Sequence, residues 1–294
     1  MQEVEGHTPA KSLKGAETEE RWSGREQAER VFCGEERTES RIVFSAGEVV
    51  VYSARAPGKE SSNEDAAAVV YIKDACTLLA VADGVGSQPS GAKAACVALE
   101  ALCEVVRSSH PDADSAGTAI LTAFDEANRA VMALGNRAAT TLAIVEVRRR
   151  EVRTYHAGDS GVLIFGGRGK VRLQTIAHSP VGYALEAGLL DESAAMEHED
   201  RHIVSNVVGD PQLHVGVSSP VELRPRDTIV VASDGLFDNL YQDEVVEFLR
   251  RGSLRKSVRA AAEETQARMS VPVEGRPCKP DDLTLAAYRP SGRD

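Results

Sequence analysis

At 294 residues and 42% hydrophobic content, the chain has room for one large domain or two small ones with a sizeable core. A formal net charge of −11 excludes a general nucleic-acid binder, which would carry the opposite sign. No apolar run is long enough to span a bilayer, the N-terminus lacks the apolar core of a signal peptide, and the 5 cysteines form no C-x-x-C pair, so a reducing, cytoplasmic location is expected.

Residues 1–45 are polar, rich in Glu, Arg, Gly and Ser, and read as a mobile N-terminal tail in which Trp22 and Phe32 are the candidates for docking. A folded domain is expected over residues 46–290. Residues 49–52, 66–72 and 76–82 are apolar and β-rich, with a polar loop ending in Glu64-Asp65 between the first two. Residues 91–106 carry Ala95, Leu99, Leu102 and Val106 at helical spacing, and residues 115–134 carry Ile120, Phe124, Ala127 and Val131, with Gly135 as a natural stop. Short strands at 140–147, 152–156, 162–165 and 171–176 suggest an antiparallel meander. Residues 177–202 hold Pro180, Gly182 and Gly188, then an acid-rich stretch of helical composition, and read as an insertion of the kind that covers sites. Strands are expected at 202–208, 213–217, 227–232 and 283–288, with helices over 241–250 and 254–269. Strands grouped apart from helix pairs argue for an α+β layered domain and against a doubly wound parallel sheet.

Four acidic stations stand at the edges of apolar β segments: Glu64-Asp65, Asp83-Gly84, Asp234-Gly235 and Asp281-Asp282. Asp83 ends a buried run, where a lone charge is heavily penalised without a partner. Any one station is equally well explained as an ordinary turn, since Asp and Gly are frequent at strand ends. If the edges converge, the like charges need cations. Hard oxygens without clustered His or Cys suit Mg²⁺ or Mn²⁺ rather than zinc. Asp83 is the best candidate to bridge two ions about 3.5–4 Å apart, a pair that activates water and neutralises a phosphoryl group.

The ordered set Asn63-Glu64-Asp65, Val81-Ala82-Asp83-Gly84-Val85-Gly86, Ala139-Thr140-Thr141-Leu142, Gly158-Asp159-Ser160, Ser233-Asp234-Gly235-Leu236 and Asp281-Asp282-Leu283-Thr284 resembles the metal-dependent protein phosphatases, the PPM or phosphatase 2C-type family, over residues 49–288. The resemblance implies a four-layer αββα sandwich, two stacked antiparallel β-sheets flanked by helix layers, with two Mg²⁺ or Mn²⁺ ions at one end. It implies hydrolysis of phosphoserine and phosphothreonine in proteins by a metal-bridging hydroxide, with no phosphoenzyme. On the same resemblance Asp83 is the bridging ligand, Gly84 a carbonyl ligand, and Asp234 and Asp281 the other acids of one ion. Glu64 and Asp65 then hold the second ion, directly or through waters. The implied partners are a phosphorylated protein substrate and an opposing serine/threonine kinase, and the enzyme is expected to be a monomer. Ser160 and Ser233 have no evident base beside them and are not expected to act as nucleophiles.

The chain departs from the family pattern at three places. Val85 stands where some members carry a His, so the leaving group's proton would come from metal-bound water or from His156, His178 or His202. Glu60 stands where an Arg often grips phosphate; Lys59 is the first candidate for that contact, as a point charge rather than a fork, with Arg55 further upstream. Asp282 stands where Asn is common, and adds charge. The insertion at 177–202 takes the place of the family's variable flap. The rival readings are an inactive regulatory module on the same fold, a phosphatase dedicated to a phosphorylated anti-sigma antagonist or similar switch protein, and an acidic Ca²⁺-binding domain. The lack of a D-x-D-x-D-G loop speaks against the last.

Overall fold

The computed structural model describes residues 16–85 and 90–291. The chain runs through β1 (Ala16–Arg21), β2 (Gln27–Cys33), β3 (Arg37–Phe44), β4 (Gly47–Ala54), β5 (Asp65–Ile72) and β6 (Cys76–Val85) before two long helices, α1 (Ser90–Ser109) and α2 (Ala116–Ala133). β7 (Ala139–Thr140), β8 (Leu142–Arg148), β9 (Glu151–Ala157), β10 (Gly161–Gly166) and β11 (Val171–Gln174) follow. The insertion holds α3 (Pro180–Glu186), α4 (Glu192–Glu197) and a 3-10 turn (Glu199–His202). The chain closes with β12 (Gly216–Val217), β13 (Val221–Glu222), β14 (Asp227–Ala232), α5 (Asp234–Phe237), α6 (Gln242–Leu249), α7 (Leu254–Ser270) and β15 (Leu283–Pro290).

One sheet has the order β1-β3-β4-β15-β14-β10-β11; the other has β12-β9-β8-β6-β5-β2, with β7 on β6 and β13 on β9. The pairings are antiparallel except β1 against β3, which is parallel. Alternation along the central strands explains the layering. In β6, Leu79 and Val81 face the other sheet, while Leu78, Ala80 and Ala82 face α1 and α2. In β14, Ile229 and Val231 point into the space between the sheets, while Val230 and Ala232 pack under α6 and α7. Three apolar cores thus separate four layers in the order helix, sheet, sheet, helix.

The structure corrects the reading of residues 16–45 as a tail: they form β1, β2 and β3, and Trp22 and Phe32 are 1% and 3% exposed in the core between the sheets. Residues 1–15 lie outside the described residues. The polar composition misleads because its charges are paired. Buried Glu39 of β3 is held by Arg255 and Arg259 of α7, which also hold Glu17 of β1. β1 lies on the sheet edge, where a polar face is ordinary. The expected meander is divided between the sheets, β8 and β9 in one and β10 and β11 in the other. Residues 202–208 form no strand, only the end of the 3-10 turn and an isolated bridge from Val208 to Thr140, and of 213–217 only β12 is extended pairing.

Trp22→Ala should lower the free energy of unfolding by about 3–5 kcal/mol, the cost of truncating a buried Trp. Urea unfolding of the full chain measures it, and an unchanged midpoint would mean that this segment contributes nothing to the core.

Candidate active site

The four acidic stations meet at one end of the sandwich because both sheets end there. Asp65 opens β5 and lies opposite Asp83, near the end of β6, in antiparallel register. Ala232 of β14 lies opposite Leu285 of β15, so Asp234, just beyond one strand, and Asp281-Asp282, just before the other, emerge together. The side chains act on one another: Asp83 feels the charges of Asp65, Asp234 and Asp281, and Asp65 feels those of Asp282, Asp281 and Asp234.

The flanking motif residues hold the backbone in place. Asp83 N–H donates to Thr141 Oγ1 at 3.0 Å, and Asp83 O accepts from Thr141 N at 2.8 Å and from Thr140 Oγ1 at 2.8 Å. Ser160 Oγ lies 2.6 Å from Thr141 Oγ1, behind them. Buried Asn63 accepts from Asp65 N–H at 3.0 Å and donates to Ser53 Oγ at 2.9 Å, which orients the Glu64-Asp65 pair. Two glycines are required by close approach. A Cβ on Gly84 would stand 2.3 Å from Gly91 O in the first turn of α1, and one on Gly235 would stand 1.9 Å from Asp282 O.

Burial pushes the carboxyls of Asp65 and Asp83 well above the usual carboxylate range, and neighbouring acids push the same way; the hydrogen bond from Ser233 pulls Asp65 back only in part. Asp159 is raised to about 8 and Asp281 to about 6, each by burial and then by the charge of Asp234, and Asp238 is raised for the same two reasons. Asp65 Oδ1 and Asp234 Oδ1 are buried without a hydrogen-bond partner. Orphaned, mutually repelling, all-oxygen donors fit a hard divalent cation. Among the described residues, however, no three such side chains already form a ligand shell. Two lysine ammoniums stand among the acids. Lys279 Nζ pairs with Asp234, with Asp238 at 2.9 Å and with Asp281 at 3.4 Å. Lys59 Nζ lies 2.7 Å from Glu64 Oε2 and 2.6 Å from Asp282 Oδ2.

The Lys59 contact accounts for Asp282. Its buried carboxylate takes the ammonium and Glu64 N–H (2.7 Å) on Oδ2, and Ala56 N–H (2.8 Å) on Oδ1, so the charge added at an Asn position is matched. Burial works against the charged form of Lys59, but the hydrogen bonds it donates to Asp282 and Glu64 raise its pKa overall. Arg55 meanwhile holds the loop, donating to Glu60 O and Ser61 O at 3.3 Å.

Ser233 does have an acid beside it, contrary to the sequence reading: its Oγ donates to Asp65 Oδ2 at 2.7 Å. The hydroxyl is fully buried and serves to orient Asp65, and Ser160 is equally buried. The candidate proton donors lie elsewhere. His156 and His178 stack with ring centres 4.3 Å apart, His214 leans on His178 at 4.8 Å, and all three line a cavity of about 570 Å³ with Tyr183 and Glu186 of α3. His202 is exposed, with Nδ1 2.9 Å from Glu199 O. The insertion is fastened beside the acids: Arg201 donates to Cys278 O at 3.1 Å, and Glu192 Oε1 accepts from Gln242 N–H at 2.7 Å. Sequence reasoning missed three members of the cluster. Asp159 follows a strand at the same end, Asp238 stands one helical turn beyond Asp234, and Lys279 two residues before Asp281; the first two spacings were signals that could have been used.

Two outcomes test this description. Lys59→Met should cost about 3–5 kcal/mol by leaving Asp282 buried and unmatched, and adding Asp282→Asn should recover most of that loss in denaturant melts. Burial holds the His178 imidazole down to about 4, against 6.5 for a free side chain. The unfolded chain then binds more protons between those values, so this contribution is complete above pH 6.5 and is lost as pH falls toward 4. His178→Asn should flatten that part of a thermal-melt pH series.

A family model described as Protein phosphatase 2C matches residues 55–270. A protein of Streptococcus pyogenes serotype M6 named as protein phosphatase 2C-type is 28% identical over 203 residues, 65% of this chain and 80% of that protein. Among solved structures, the serine/threonine phosphatase of S. agalactiae superposes with a TM-score of 0.70 at 21% identity, covering 83% of this chain and 99% of that one. The catalytic domain of the serine threonine protein phosphatase PstP, solved with 2 manganese ions, superposes with a TM-score of 0.67 at 20% identity, covering 84% and 99%. These two likenesses establish the fold.

Proposed function

This chain belongs to the protein phosphatase 2C family, and from that premise we propose that its buried acids hold two divalent cations, Mg²⁺ or Mn²⁺. The protein is a protein serine/threonine phosphatase acting on phosphorylated proteins. The observation that carries the metal assignment is the meeting of four acidic stations from two sheets, with Asp65 Oδ1 and Asp234 Oδ1 buried and unpartnered. Asp83, whose carboxyl feels the charges of Asp65, Asp234 and Asp281, would be shared between the two ions. Gly84 would offer its carbonyl, Asp234 and Asp281 would hold one ion, and Glu64 and Asp65 would hold the other. Bound there, the ions supply an activated water and neutralise the charge of the attacked phosphoryl group.

The chain's own groups do the positioning. Thr140 and Thr141 fix the Asp83 backbone, Ser233 turns Asp65, and Asp282 anchors Glu64 through its N–H. Val85 offers no proton where a His is sometimes found, and among the described residues His156, His178 and His202 make no hydrogen bond to these carboxylates. Lys59, in the position first considered for phosphate contact, serves Asp282 and Glu64 in this state. The insertion, clamped beside the pocket through Arg201 and Glu192, shapes which phosphorylated segment enters. An opposing serine/threonine kinase, a monomeric enzyme and a cytoplasmic site of action complete the proposal. Among the described residues no helix is long and apolar enough to cross a membrane.

Hydrolysis of a phosphothreonine peptide by the purified protein should require Mn²⁺ or Mg²⁺ and stop with chelator. Asp83→Asn and Asp234→Asn should each reduce it at least about a hundredfold while leaving the circular dichroism spectrum unchanged. Near-normal turnover in either folded variant at low metal would sink the assignment.

A further inference from the structure

We propose that Lys279 is a resident counter-cation of the metal-free protein, an ammonium that a divalent ion must displace from Asp234, Asp238 and Asp281 in order to bind. This rests on the metal-centre reading above and deepens it. The ammonium sits against three carboxylates, two at the ends of α5 and one on its own loop. Its backbone is fixed: Lys279 N–H donates to Asn239 Oδ1 at 2.8 Å and Lys279 O accepts from Asn239 Nδ2 at 2.9 Å. Asn239 is itself fully buried, and its own carbonyl accepts from Arg268 at 3.0 Å. The side chain is only 17% exposed, so it is delivered into the cluster and is not a surface lysine that happens to lean inward.

The need for such a group follows from the charges. Asp234 opens α5, Asp238 follows one helical turn later, and Asp281 comes in from the chain before β15, so three carboxylates surround one ammonium. With no cation, several acids in one buried pocket cannot all ionise. A lysine suits the task because its charge is compact and its four-carbon stem can withdraw, whereas a guanidinium fork would lock the carboxylates. Lys59 differs in that its ammonium is shared between Glu64 and Asp282, and Asp282 is a buried acid that also accepts from the N–H groups of Ala56 and Glu64. An ion arriving at Asp234 and Asp281 meets a like charge at contact distance. The observed affinity is then the intrinsic one reduced by the fraction of molecules whose lysine has withdrawn. Loading of that station is therefore coupled to release of the Lys279 side chain.

The test uses the full chain and Mn²⁺ as the probe. Titration calorimetry of Lys279→Met should show Mn²⁺ binding at least about tenfold tighter than wild type, since a competing unit charge at this range is worth about 1.4 kcal/mol or more. The metal-free variant should melt several degrees lower. The wild-type protein supplies a second measurement that does not depend on a variant folding. Acylation of the Lys279 amine, followed by mass spectrometry, should be slow without metal and several-fold faster in saturating Mn²⁺. Equal or weaker Mn²⁺ binding by folded Lys279→Met, or labelling of Lys279 indifferent to Mn²⁺, overturns the inference and leaves the metal centre standing. Failure of both wild type and variant to bind Mn²⁺ overturns the metal centre as well.

Discussion

Carboxylates gathered out of water repel one another, and a protein that gathers them must hold them by force or supply opposite charge. Much of this architecture can be followed outward from that constraint. Asp65 and Asp83 are placed by the ends of one sheet, and Asp234 and Asp281 by the ends of the other. Strands buried on both faces give the rigidity that flexible loops would lack: β6 and β14 are enclosed between helices and the opposing sheet. Around the acids, the hydrogen bond that Thr141 accepts and the one that Ser233 donates set geometry, and Lys59 and Lys279 supply charge.

The central strands, the paired helices and the four acidic stations were legible in the sequence because each is a local signal. Apolar runs ending in Asp-Gly announce both the strand and its rim, and the stripes of α1 and α2 repeat every three to four residues. What escaped reading depends on partners far along the chain. β1 and β3 look like a solvated tail until Arg255 and Arg259, more than two hundred residues later, are brought against Glu17 and Glu39. The assignment of two neighbouring hairpins to different sheets is a tertiary fact that spacing cannot encode. In the same way, Lys59 reads as a phosphate contact until Asp282 is seen beside it, and no local pattern marks Lys279 as a member of the acid cluster.

The insertion and the loop that precedes β15 are also mechanically joined. Arg201 reaches Cys278 O, one residue before Lys279, and Glu192 caps the chain at Gln242, where α6 begins. A phosphorylated segment that shifts α3 and α4 on entry would therefore strain the same loop that carries Lys279 and Asp281.

The facing of Asp65 and Asp83 across β5 and β6 has a further meaning. Alternate residues of a strand look to opposite sides, so sliding β5 along β6 by one position would turn Val69 and Ala67 out of the middle layer and carry Asp65 away from its neighbour. Greasy side chains and acids thus vote for the same alignment. A misthreaded β5 forfeits its share of the core along with the facing of its acid.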